Sequence, residues 1–130
     1  ITMQKKLTII AGGLLGLLFL VFGSNFFLHF LPMPSPPEGS PAAAFMTAAY
    51  TTGFLTFVKV LEILGGILVA IPKTRNFGLL ILGPIIVNIL AFQIFIAKGS
   101  ILQVPVLSVS VLAAFLLWSE RTAFSKLLKK

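Results

Sequence analysis

Lys59 and Glu62 are the residues of this chain best placed to do chemistry. They stand inside an otherwise apolar stretch, Phe57-Val58-Lys59-Val60-Leu61-Glu62-Ile63-Leu64-Gly65-Gly66. A spacing of three puts both on one face of a helix, within reach of each other. A lone charge at the centre of a membrane helix costs roughly 2.5–3.5 kcal/mol on insertion scales, so opposite charges there are expected to pair. Thr52, Thr56, Lys59, Glu62 and Gly66 follow helical spacing and form one polar-to-small stripe. Such a stripe should face protein or trapped water. Two readings fit it: the floor of a binding site or a proton-handling pair, and a buried pair that sets helix packing and register.

The elements that must position this pair are membrane helices. The 130 residues are 58% hydrophobic and 10% charged, a balance that fits a membrane protein and no soluble domain of this size. Without cysteine there is no disulfide, thiolate metal site or iron–sulfur ligation. One histidine and three acidic residues argue against a dedicated metal site. The net charge of +7 does not point to nucleic acid, because the basic residues flank the apolar runs.

Four spans are expected, at about 7–31, 53–71, 77–97 and 101–118, in a single domain covering 1–130. Lys5-Lys6 precede the first run, whose apolar length exceeds that of a signal-peptide core, so it is taken as a span. Gly12 and Gly16 in the first span and Gly65-Gly66 in the second are candidates for close helix packing. Between these spans lies a proline-rich loop, residues 32–40. Ser40-Pro41 reads as a helix cap with proline at the first helical position. It opens an alanine-rich short helix, either interfacial or continuous with the second span through a bend near Gly53. A kink is expected at Pro84 in the third span. The basic tail, Ser119 to Lys130, reads as a helix on an anionic lipid surface or as a solvated helix end.

Charge sets the orientation. Lys5, Lys6, Lys73, Arg75, Arg121, Lys126, Lys129 and Lys130 fall on one side, against Lys98 alone on the other. The positive-inside rule places both termini in the cytoplasm and the proline-rich loop outside. Counting about 1.5 Å per residue from the outer boundary, Asn25 and Lys59 lie roughly 9 Å deep, Ser108 roughly 10 Å, and Asn88 and Glu62 roughly 13 Å. His29, Gln93 and Gln103 are shallower. The expectation is a polar pocket in the outer half, formed by Asn25, His29, Lys59, Glu62, Asn88, Gln93 and Ser108, above an apolar, glycine-rich inner half. A polar track that stops halfway argues against an open channel and for a pocket admitting a quinone or lipid headgroup, or for a partner surface.

Several pieces resemble the DoxX and DoxX-like family of small four-helix membrane proteins. They are Val21-Phe22-Gly23-Ser24-Asn25 with Phe30-Leu31-Pro32, the alanine-rich entry to the second span, Lys59-Val-Leu-Glu62-Ile-Leu-Gly65-Gly66, and Gly83-Pro84-Ile-Ile-Val-Asn88-Ile with Phe92-Gln93. The resemblance implies an all-α integral membrane four-helix bundle, in a bacterial inner membrane. It implies a non-catalytic accessory subunit of a larger redox-linked complex, with no cofactor of its own beyond a bound quinone or lipid. A membrane-protein partner or a homo-oligomer is expected with it. A quinone-linked component acting on thiosulfate, with Lys59 as anion anchor, and a small transporter are the alternatives. Members with histidine after the third-span phenylalanine differ here, where Gln93 stands.

Overall fold

The structure, a computed structural model, describes residues 3–31, 35–96 and 104–128. Lys98, Gln103, Lys129, Lys130 and part of the proline-rich loop lie outside the described residues. Among those described there is helix and no strand.

The helices in order are α1 (Met3–Leu28), α2 (Pro41–Thr51), α3 (Phe54–Ala70), α4 (Arg75–Ala91), α5 (Val104–Ser119) and α6 (Arg121–Ser125). A 3-10 turn, Pro72–Thr74, links α3 to α4, and a π-helical segment, Phe92–Ile96, extends α4. Two helices are long and apolar enough to cross a membrane: Met3–Leu28, and Pro72–Ile96 taken as one element. The chain is therefore read as a membrane protein. α3 is equally apolar, but its 17 residues rise only about 25 Å. α5 is a shorter apolar helix of 16 residues.

α3 lies between α1 and α4, and α5 rests on both α1 and α4. The core is formed by Leu15, Val69, Leu82 and Leu116, all fully buried, with Phe19, Leu79, Ile86 and Val109. Large apolar side chains also cover the outside, including Ile9, Leu14, Phe57, Phe77, Val87, Phe95 and Val111. This arrangement suits hydrocarbon, in which neighbouring helices gain little from burying apolar area and hold together through close packing.

Glycines supply that packing. A Cβ on Gly16 would stand 2.5 Å from the Gly66 carbonyl oxygen and 2.8 Å from the Ala70 methyl. A Cβ on Gly66 would stand 3.0 Å from the Gly16 carbonyl oxygen. On the other side of α3, Gly65 faces Leu82, and Gly78 of α4 presses on the Val69 backbone. Gly12 behaves differently: its missing side chain leaves room for the Arg75 guanidinium, not for a helix backbone.

α2 begins as its sequence dictates. The Ser40 hydroxyl accepts from the Ala43 amide at 3.2 Å, and Pro41 opens the helix. The bend near Gly53 is much sharper than a curved span. α2 and α3 meet at 82°, and α2 lies against Phe26 near the end of α1 and Phe92 just after α4. Gly53 makes the corner at φ 84°, a left-handed conformation that costs glycine little. Tyr50 meets Phe26 of α1, and Phe45 meets Phe92, so two aromatic contacts hold α2 in place.

Gly16→Ala should lower stability by about 1–3 kcal/mol, the usual cost of overpacking. Gly13→Ala, with no neighbour within 4 Å of its Cβ, should be neutral or stabilising. Thermal unfolding of both variants in detergent checks this; equal midpoints would remove the glycine contact as a packing determinant.

Candidate functional site

Within α3 the Lys59 ammonium stands 3.4 Å from one Glu62 carboxylate oxygen and 3.5 Å from the other. The pair is asymmetric: the glutamate side chain is 6% exposed and the lysine 23%. Glu62 stands one turn before Gly66, whose face meets α1, and it is buried. Lys59 stands nearer the rim, beside the exposed Phe57 and Val60. On α1, Gly23 abuts Ile63 and the Lys59 carbonyl, so the same glycine-lined contact that packs α1 on α3 holds this turn. The pair is therefore a carboxylate locked inside the protein and a cation with one open side.

Asn25, His29 and Asn88 of the expected outer pocket are engaged with backbone or exposed. Asn25 is buried, but its amide is committed to the backbone. Its Oδ1 accepts from the Leu31 amide at 2.7 Å and its Nδ2 donates to the Leu31 carbonyl at 3.2 Å. Between these, His29 takes a left-handed φ of 54°, and its amide donates to the Asn25 carbonyl at 2.8 Å. Asn25 is thus the clamp that ends α1 and turns the chain, and His29 is the exposed turn residue, not a ligand aimed inward. Asn88 is exposed on α4, with its Nδ2 donating to the Pro84 carbonyl at 2.9 Å. Gln93 lies half-buried in the π-helical segment, and Ser108 half-buried on α5. The reason is rotational: residues of different helices at one depth need not face one another, because spacing fixes faces within a helix and not the rotation of one helix against the next.

Neither cavity described among the residues of the structure is lined by Lys59 or Glu62. One, of about 490 Å³, lies beside α2 and is lined by residues 38–48. The other, of about 460 Å³, lies at the opposite end, where α1 and α4 begin and α5 finishes. Its members include Thr8, Arg75, Ser119 and Glu120, none of which the sequence marked as a site. Arg75 is read from the sequence only as a member of a basic turn. Although it follows a basic turn, it is 4% exposed. Its Nε donates to the Val69 carbonyl at 3.1 Å, at the end of α3. The Thr74 hydroxyl donates to the Leu68 carbonyl at 2.8 Å. Both satisfy last-turn carbonyls that have no partner within the helix. The available signal was an arginine immediately preceding an apolar run, read together with a small residue at Gly12.

Comparison with protein-family models, curated proteins and solved structures found no match to this chain.

Glu62→Gln is expected to preserve the fold, whereas Glu62→Ala with Lys59 kept strands a cation. The loss should fall below the roughly 3–5 kcal/mol of a fully buried pair, because Lys59 retains an open side. Chemical unfolding in mixed micelles measures both variants; identical stability for wild type and Glu62→Ala would show that the pair carries no weight. Asn25→Ala removes two hydrogen bonds to Leu31 and should cost about 1–3 kcal/mol. It should also speed proteolysis between α1 and α2, which a timed digestion reads directly.

Proposed function

We propose that the chain is an integral membrane accessory subunit, in which α1, α3, α4 and α5 all cross the bilayer as a four-helix bundle. Both termini lie on the cytoplasmic side, and α2 lies flat at the outer surface. The crowding of Lys5, Lys6, Lys73, Arg121 and Lys126 toward one end supports this orientation. The resemblance of Lys59-x-x-Glu62-x-x-Gly65-Gly66 to the DoxX-like pattern supports an accessory role in a redox-linked complex of the bacterial inner membrane.

The observation that carries the partner-bound reading is Asn88. It is an amide exposed on an otherwise apolar surface of α4, next to Val87, which is also exposed. A polar group facing hydrocarbon without a full set of partners is unfavourable. A hydrogen bond from a second helix is worth about 0.6–2 kcal/mol in such a setting. The open side of Lys59 makes the same demand. A protein helix bearing an acceptor meets it, as does a quinone carbonyl or lipid oxygen seated beside the ammonium.

In mild detergent the chain should travel with a second membrane protein or with further copies of itself. Asn88→Leu should leave its own thermal midpoint unchanged or higher while removing most of that association. Size-exclusion with light scattering decides it: monomers for both wild type and Asn88→Leu, in detergent and in nanodiscs, would overturn the reading.

A further inference from the structure

The end of α5 carries a cation held in a fixed direction. The Arg121 guanidinium stands 4.4 Å from the centre of the Trp118 ring, and its Nη1 donates to the Trp118 carbonyl at 2.8 Å. Carbonyls of a last turn lack a partner within their own helix, so the bond serves α5 as well. Phe115 stacks on the same ring at 6.4 Å and fixes it from within the helix. Arg121 and Trp118 are both exposed. A guanidinium has five N–H donors in one plane. Stacking and a single bond leave its remaining edge turned to the surroundings, already oriented.

From this cation back along α5 runs a narrow apolar strip. Val106, Val109, Ala113 and Leu116 are buried, on the side where α5 meets α1 and α4. Leu107, Val111, Ala114 and Trp118 follow at spacings of four, three and four, so they share the opposite face, and all are exposed. Ala114 makes a low point between the bulkier Val111 and Trp118. Arg121, three residues beyond Trp118, heads the strip.

The surrounding charge is positive. The start of α1, the Pro72 turn and the end of α5 line one cavity, and Thr8 meets Ser119 at 3.4 Å. Lys6, Lys73 and Lys126, each exposed, are thereby gathered at the same end as Arg121. Glu120, the carboxylate described there, is set against the charge of Arg75. An apolar strip one chain wide that ends in an oriented guanidinium suits an amphiphile with a phosphate head, whose oxygens match the fork. The excess positive charge selects among such heads. It favours a net anion, since a zwitterion brings its own ammonium toward the lysines.

We infer that α5 binds an anionic phospholipid, with the phosphate on the open edge of Arg121 and an acyl chain along Trp118, Ala114, Val111 and Leu107. The inference rests on the reading that α5 crosses the bilayer.

Trp118 is the one tryptophan of the chain, so its fluorescence reports on the strip directly. The full chain is placed in phosphatidylcholine vesicles containing a minor fraction of brominated phosphatidylglycerol or of brominated phosphatidylcholine with identical chains. Quenching should show phosphatidylglycerol enriched about fivefold over phosphatidylcholine at Trp118, the scale of one cation at a membrane surface. Arg121→Gln should bring the two lipids level. Arg121→Lys, which keeps the charge without the flat fork, should fall between that variant and wild type. Equal quenching by the two lipids in wild type would overturn the inference. So would enrichment in either variant as strong as in wild type. Should neither lipid quench, acrylamide in the water separates the causes. Quenching by acrylamide would put the end of α5 outside the bilayer, and the spanning reading would fail together with the inference. A Trp118 shielded from lipid and acrylamide alike would mean that protein covers the strip, and the inference alone would fail.

Discussion

The close approach of α1 and α3 is the constraint on which the rest of this structure depends. In hydrocarbon a leucine gains little by leaving lipid for another helix, so contact distance decides whether helices stay together. Gly16 and Gly66 each point at the other's backbone, leaving no room for a side chain on either. The neighbouring Gly65 serves the opposite interface, where Leu82 and the Gly78–Val69 contact hold α4. Two consecutive glycines thus let α3 be gripped from both sides. Gly23, about two turns along α1 from Gly16, repeats the arrangement beside Ile63 and the Lys59 carbonyl. The depth and rotation of the charged pair follow from these contacts.

The helix ends are finished by polar side chains bonded to backbone. At its C-terminal end α1 is closed by Asn25 through both ends of its amide. At the end of α3, Thr74 and Arg75 serve the carbonyls of Leu68 and Val69. This use of polar groups leaves less for ligands than their number implies. It also separates two kinds of buried polar residue. Asn25 has both its donor and its acceptor engaged, whereas Arg75 retains a nitrogen with nothing to bond.

Much of the helical plan is legible in the sequence, because apolar run length and Ser40-Pro41 act locally. The Lys59–Glu62 contact is legible for the same reason, since both residues belong to one helical turn. The bend at Gly53 is marked by its glycine, but the right angle there is not, because the angle is set by Phe45 and Tyr50 meeting distant aromatics. The different placing of Asn25 and Asn88 has a related reason. Asn25 and Asn88 occur at similar depths, yet one is buried against backbone and the other faces outward. Arg75 reads as one more basic residue in a turn, since nothing near it in the chain announces that Gly12 has left it a place to enter.

That Lys59 and Glu62 belong to the same turn of the same helix has a consequence for how the chain enters its membrane. Their salt bridge forms with the helix itself, before any neighbour has docked. In the proposed four-span bundle, the segment delivered to the lipid is then electrically balanced at its most polar point. The charges cross the interface as a dipole, far less costly than a solitary ammonium. A pair divided between two helices would have left each one to insert with a naked charge and wait for the other.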